Sequence, residues 1–310
     1  MSNMEMSRRE FLFWTLSLIL VTFFWGTTFV LVKSALSDIS STQFLMIRFT
    51  ASFLISIVTI RFFFKDTLKD LLITRHGFFL GMLLFVSYLF QTIGLETALP
   101  SNAAFITGLS VPLTPVLLIA FFRSSVSKSA IFWAFLACIG LAIMTLDFDT
   151  LSAKLGDILI LVTAVAVSFH IIYTGFYTER FTARQRSIGP LVIGQFFSMM
   201  IYAWLFSIVV DEGRVFEFNF SLAVAVALII TVIFATIFAF GTQTLAQRKG
   251  IPSPYIALIY ILEPVFALLT SLVTGGELLT AQKLFGVVVM MAAVIFSVLL
   301  QNPSHSPIPE

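Results

Sequence analysis

Apolar stretches of about 18 to 24 residues, parted by short polar or charged breaks, follow one another along this chain. Ten can be delimited: 11–32, 43–63, 77–95, 101–122, 129–146, 156–177, 188–210, 221–246, 252–273 and 281–300. Each is long enough to cross a hydrocarbon layer of about 30 Å as a helix. Composition agrees, with 59% apolar and 11% charged residues and a mean hydropathy of +1.03, far from the range of soluble chains. With 310 residues, almost nothing remains for a soluble domain. The first stretch lacks a small-residue cleavage site and exceeds a signal-peptide core, so it reads as a retained first helix. The single cysteine, Cys138, falls mid-span and can form no intramolecular disulfide.

Lys and Arg set the expected orientation, because positive loops stay on the cytoplasmic side. With the N-terminus inside, thirteen cations fall on the cytoplasmic face: Arg8 and Arg9, Arg61 to Arg75, Arg123 and Lys128, Arg180 to Arg186, Arg248 and Lys249. Only four (Lys33, Lys154, Arg214 and Lys283) fall outside, among mostly acidic neighbours, and Arg48 alone lies within a span. Both termini are therefore expected to be cytoplasmic. The net charge of +2 carries this bias and no nucleic-acid meaning.

The chain also repeats itself. A shift of 152 residues carries Gln91-Thr92 onto Gln243-Thr244, Pro100-Ser101 onto Pro252-Ser253, and Pro112 onto Pro264. Shorter shifts bring Thr28 near His170 and Arg48 near Gln195. The expected organisation is a tail at 1–10, a five-helix unit at 11–146, a linker at 147–155, a second five-helix unit at 156–300 and a tail at 301–310. Five is odd, so the second unit enters the membrane from the opposite face and the two are inverted copies, an arrangement typical of secondary transporters. The expected fold is an all-α integral membrane protein with ten transmembrane helices in two inverted five-helix repeats.

Several segments resemble the EamA branch of the drug/metabolite transporter superfamily: WGTTFVLVK at 25–33, MIRF at 46–49, QTIGLETALPSNAAFITGLSVPLTPVLL at 91–118, and LEPVFALL followed by GGELLTAQKLFG at 262–286. The resemblance covers residues 11 to 300. It implies a ten-helix, two-repeat transporter that moves amino acids or related small metabolites, often outward, through a cavity lined mainly by helices one, three, four, six, eight and nine. Two departures stand out. The family's usual Thr-Ser-Ala-Ser-Asn before the fourth helix is Ala98-Leu99-Pro100-Ser101-Asn102 here, and the Gly-Glu loop occurs once, at Gly276-Glu277, with Ser124-Ser125 in the equivalent place.

Polar residues inside spans are the candidates for substrate contact, because such a group needs a partner or a wet cavity. Tyr88, Gln91 and Thr92 share a face of the third span, and Gln243, Thr244 and Gln247 one of the eighth. An amide can serve both ends of a zwitterion or tie neighbouring helices together. The fourth span carries Asn102, Thr107, Ser110 and Thr114, a stripe for lining or for close packing. Pro112 and Pro264 interrupt their helices, freeing a carbonyl or making a bending point. Glu263 is the acidic residue placed deep in a span, read either as a proton-coupling or amine-binding carboxylate or as support for the backbone freed by Pro264. Tyr260 shares its face. His170 and Tyr173 mark the sixth span, His170 as a relay or a neutral donor. Trp25 and Thr28 mark the first, Trp25 as cavity wall or interfacial anchor. Arg48 is expected to snorkel to the outer surface or to make a structural contact between repeats.

An enzyme is not expected: no HExxH or GxSG occurs, and His76, His170 and His305 are scattered. A passive channel would build its symmetry from subunits rather than within one chain. The sequence thus points to a secondary transporter exporting an amino acid or related solute by alternating access. A multidrug or organic-cation exporter, or a flippase for a lipid-linked substrate, is the alternative on the same architecture. No cofactor or metal is expected. The expected partners are a small-molecule substrate, membrane lipid and a proton as coupling ion, and the expected location is the cytoplasmic membrane of a bacterium or archaeon.

Overall fold

The computed structural model describes residues 6–63, 75–98, 100–145, 155–184, 186–276 and 278–300. All regular structure among them is helical. The first helix, α1 (Arg8–Ala35), begins where Ser7 and Glu10 cap each other, Ser7 Oγ accepting from the Glu10 amide at 3.2 Å and the Glu10 carboxylate from the Ser7 amide at 3.1 Å. There follow α2 (Ser41–Phe63), α3 (Arg75–Thr97), α4 (Pro100–Gly108), α5 (Ser110–Phe122) and α6 (Lys128–Thr145). The second half holds α7 (Leu155–Ala183), α8 (Gly189–Val210), α9 (Leu222–Val232), a π-helical turn (Ile233–Phe238), α10 (Ala239–Arg248), α11 (Ser253–Tyr260), α12 (Glu263–Val273) and α13 (Ala281–Leu300).

Among the described residues, nine helical runs are long and apolar enough to cross a membrane. The expected span at 129–146 forms α6, an apolar helix of 18 residues, which reaches about 27 Å at 1.5 Å per residue. Large apolar side chains point outward along the rods, among them Phe13, Leu16, Leu20 and Phe23 on α1 and Phe285, Val288 and Phe296 on α13. Thr22, Ser52, His170, Gln195 and Gln243 are buried inside. Such a distribution suits a bundle whose solvent is lipid.

Two expected spans are broken rods. The fourth divides into α4 and α5 at Leu109, and the ninth into α11 and α12 at Ile261 and Leu262. Leu109 and Ile261 stand 152 residues apart, the offset of the sequence repeat. Each break lies just before a proline, Pro112 or Pro264. Proline has no N–H for the carbonyl four residues back and its ring crowds that carbonyl, so Gly108 and Tyr260 end their helices.

The two halves interlock. The most extensive pairings join one half to the other: α3 with α7 and α8, α2 with α8, α1 with α12, and α6 with α13. They come in mates, since α1 lies along the α9–α10 rod as α7 lies along α3, and α1 meets α12 as α7 meets α5. At the α6–α13 seam a Cβ on Gly286 would stand 2.5 Å from Met144 N and 2.6 Å from Gly140 O. Glycine there lets the two backbones touch.

Candidate functional site

The π-helical turn organises the centre of the molecule. A π turn replaces the i→i−4 hydrogen bond by a wider one and leaves a backbone group open to side chains. Here the Ala235 carbonyl accepts from Trp25 Nε1 at 2.9 Å, from Arg48 Nη2 at 3.3 Å and from Tyr88 Oη at 3.4 Å. Arg48 Nε donates to Thr236 Oγ1 at 2.9 Å. Its guanidinium lies 4.2 Å over the Tyr88 ring and 5.5 Å from the Phe49 ring centre. Side chains of α1, α2 and α3 thus converge on one turn of the second half.

Aromatic rings enclose this convergence. Phe240, fully buried, touches Trp25 at 5.7 Å, Tyr88 at 6.1 Å and His170 at 5.5 Å between ring centres. Tyr260 meets Trp25 edge-on at 4.7 Å. Trp25 is therefore an interior donor and not an interfacial anchor. Snorkelling of Arg48 is likewise overturned: the residue is 3% exposed, because its guanidinium is drawn to Ala235 and Thr236 on the far helix. Sequence reasoning named Arg48 as a contact between halves but missed Ala235, Thr236 and Phe240. A lone cation in an apolar span was the available signal. Phe240, one of 36 phenylalanines, offered none.

Glu263 opens α12 beside the ninth-span break and is 8% exposed. Its carboxylate sits in the first turn of a helix, where the backbone dipole favours negative charge. Among the described residues no side chain or backbone amide donates to this carboxylate. Gly26 brings α1 onto the same break, where a Cβ would stand 2.5 Å from Glu263 O and 2.7 Å from Ala267 N.

The two repeat-related glutamines are used in parallel. Gln91, half-buried, donates to Thr107 Oγ1 at 3.2 Å and so ties α3 to α4. Gln243, buried, accepts from the Tyr260 hydroxyl at 3.0 Å and ties α10 to α11. Gln243 Nε2 continues to Gln247 at 3.4 Å, and Gln247 Nε2 to Ile171 O at 2.7 Å and Ser253 Oγ at 3.1 Å. His170 faces Gln195 Oε1 at 3.2 Å and Thr174 Oγ1 at 3.3 Å. Tyr173 stands in a separate aromatic group with Phe79, Phe122 and Tyr177. The Thr28 hydroxyl bonds back to Trp25 O at 2.7 Å. The side chain of Asn102 and the whole of Glu277 lie outside the described residues. The structure thus brings Trp25, Arg48, Tyr88 and Tyr260 together, sets Glu263 just beyond Tyr260 at the ninth-span break and leaves Tyr173 apart.

Comparison with known proteins decides the class. The sequence pattern of the EamA-like transporter family matches residues 12–146. An "uncharacterized transporter" of Archaeoglobus fulgidus is 30% identical over 280 residues, covering 90% of this chain and 84% of its own. The chain belongs to the EamA-like transporter family. This EamA-like transporter also shares its fold with a protein of known crystal structure at 14% identity, with a TM-score of 0.71 over 95% of this chain and 97% of that one. It is a multi-pass membrane protein of the transporter class.

Proposed function

We propose that this EamA-like transporter carries an amino acid or related small solute outward across the cytoplasmic membrane of a bacterium or archaeon, by alternating access about the two broken helices. The observation that carries the reading is the pair of breaks at Leu109 and Ile261, separated by the repeat offset, with Tyr260 against Trp25 on one side of the second and Glu263 opening the helix on the other. Discontinuous helices at a repeat interface are where secondary transporters hold substrate. The mated pairings between halves support two inverted five-helix units, and the Lys and Arg bias supports both termini inside. Trp25, Tyr88, Gln91, Thr107 and Tyr260 then form the wall, Glu263 takes an ammonium group or a coupling proton, and Pro112 and Pro264 mark where the rods bend.

A second reading is favoured by one feature: a carboxylate among aromatic rings also suits an organic cation. Thermal-shift screening of the purified protein against amino acids, polyamines, organic acids and nucleobases, followed by counterflow in proteoliposomes, separates the two. Trans-stimulated exchange of an amino acid is expected. Stabilisation by polyamines or other organic cations alone would replace the first reading with the second, and uptake without trans-stimulation would mean a channel.

A further inference from the structure

Four arginines meet at one corner of the bundle. Arg75 opens α3, while Arg180 and Arg184 stand at the end of α7 and Arg186 in its link to α8. The two segments are distant in sequence and join here because the ring of His76, next to Arg75, packs edge-on against Tyr177 at 4.6 Å and Phe181 at 6.0 Å between ring centres. Tyr177, Arg180, Phe181 and Arg184 are spaced by three and four residues, so both arginines share the face of α7 that holds His76. Arg186 stays at the same turn, its amide donating to Phe181 O at 2.8 Å. A Cβ on Gly77 would stand 3.0 Å from the carbonyls of Pro190 and Leu191, so the start of α8 closes the corner.

All four arginines are exposed, and none forms an ion pair with a described residue. The retention of positive loops explains their sign but not their gathering from two segments. Arg8 and Arg9, on the same expected face, share their turn with Glu10. At the α3–α7 corner the acidic neighbour, Glu179, falls by helical spacing on the opposite side of α7.

The same face of α7 continues toward the bilayer as aromatic rings. Tyr173, one turn from Tyr177 with ring centres 5.8 Å apart, meets Phe79 at 5.0 Å and Phe122 at 5.4 Å. All four rings are half-buried. A soluble anion needs only the cations. A phospholipid needs cations for its phosphate and an apolar track beneath them for its acyl chains, and this corner has both.

We propose that the α3–α7 corner binds an anionic phospholipid of the surrounding leaflet, with Arg75, Arg180, Arg184 and Arg186 as the cations for its headgroup phosphate and the Tyr177, Tyr173 and Phe79 rings along its acyl chains. The lipid braces the seam between α3 and α7, one of the most extensive pairings between the two halves. It lies apart from the solute site and is independent of which solute is carried.

The test titrates purified protein in a neutral detergent with dioleoyl phosphatidylglycerol, dioleoyl phosphatidylcholine or inorganic phosphate, reading bound lipid by native mass spectrometry and Tm by thermal shift. Wild type should bind the glycerol lipid at least tenfold more tightly than the choline lipid and gain Tm only with the former. The double variant Arg180→Gln/Arg184→Gln should weaken that binding roughly thirtyfold, the scale of two cations at a membrane surface. Arg8→Gln/Arg9→Gln, which removes the same charge elsewhere on that face, should stay within about threefold of wild type. Should the first pair lower the lipid-free Tm, Arg75→Gln/Arg186→Gln makes the same comparison. Equal weakening by the two double variants would mean diffuse surface charge, and unchanged binding in the corner variants would empty the site. Inorganic phosphate that raises Tm as the lipid does, and loses that effect in the corner variants, would replace the lipid by a soluble anion. Each of these results overturns the proposal.

Discussion

Gln91 and Gln243 are equivalent in the sequence repeat but not in their surroundings. Gln243 is enclosed, and Gln243→Leu strips partners from both the Tyr260 hydroxyl and the Gln247 amide. Each buried group left unpaired costs about 1–3 kcal/mol, so this variant should lower the Tm of the purified protein clearly. Gln91 is half-buried with one side-chain bond at 3.2 Å. Gln91→Leu should cost about 1 kcal/mol or less in stability and act chiefly on solute affinity. Equal Tm losses in the two variants would show that the difference in burial has no energetic consequence. Glu263→Gln addresses the carboxylate. If it carries a coupling proton, the variant keeps exchange but loses accumulation driven by a pH gradient, because the amide mimics the protonated form and cannot release it. If exchange, binding and Tm fall together instead, the carboxylate serves the fold.

Among the elements, the broken rods and the π turn carry the function proposed here. A proline inside a continuous rod would cost about 3 kcal/mol or more, and the chain sets one in the first turn after each break. Pro264→Ala restores an N–H that can reach Tyr260 O and close the gap between α11 and α12. Its expected outcome is an unchanged or raised Tm with counterflow slowed about tenfold or more, the rate consequence of about 1.4 kcal/mol on the barrier. Wild-type exchange in this variant would remove the break from the transport cycle. Trp25, Arg48 and Tyr88, from three helices of the first half, all meet the π turn at a single carbonyl.

For the whole molecule, the interlocked pairing of α3 with α7 and α8, and of α1 with α12, means that neither half is a separate body. Orientation follows from charge and can be tested with single cysteines in a Cys138→Ser background. Ser37 and Ser127 are both exposed at opposite expected faces. In intact cells, an impermeant thiol reagent should label Ser37→Cys and spare Ser127→Cys. The reverse pattern would invert the topology, and labelling of both would mean that the number of crossings between them is not odd. At the Ser37 face a cavity of about 430 Å³ is lined by Asp38, Gln43, Asp211 and Arg214. There Asp211 accepts from Ser40, Thr42 and Ser207, each at 2.7 Å, so this carboxylate is already engaged in holding α2 against α8.

From sequence alone one could read the membrane class, the positions of the apolar rods, the 152-residue repeat and the family. These follow from hydropathy and local chemistry: a run of 20 apolar residues can do little else than cross a bilayer, and a proline disturbs its own helix wherever that helix packs. Even the two breaks were foreshadowed by Pro112 and Pro264. The company each polar residue keeps was decided only in three dimensions. Arg48 was expected at the surface or in a structural contact and is buried on a π turn that no residue pattern announces. Trp25 could have been an anchor and is an interior donor, and Phe240 was indistinguishable from its many counterparts. Partners such as Trp25 and Ala235 lie 210 residues apart, and periodicity along one helix says which face is polar but not which distant backbone group will meet it.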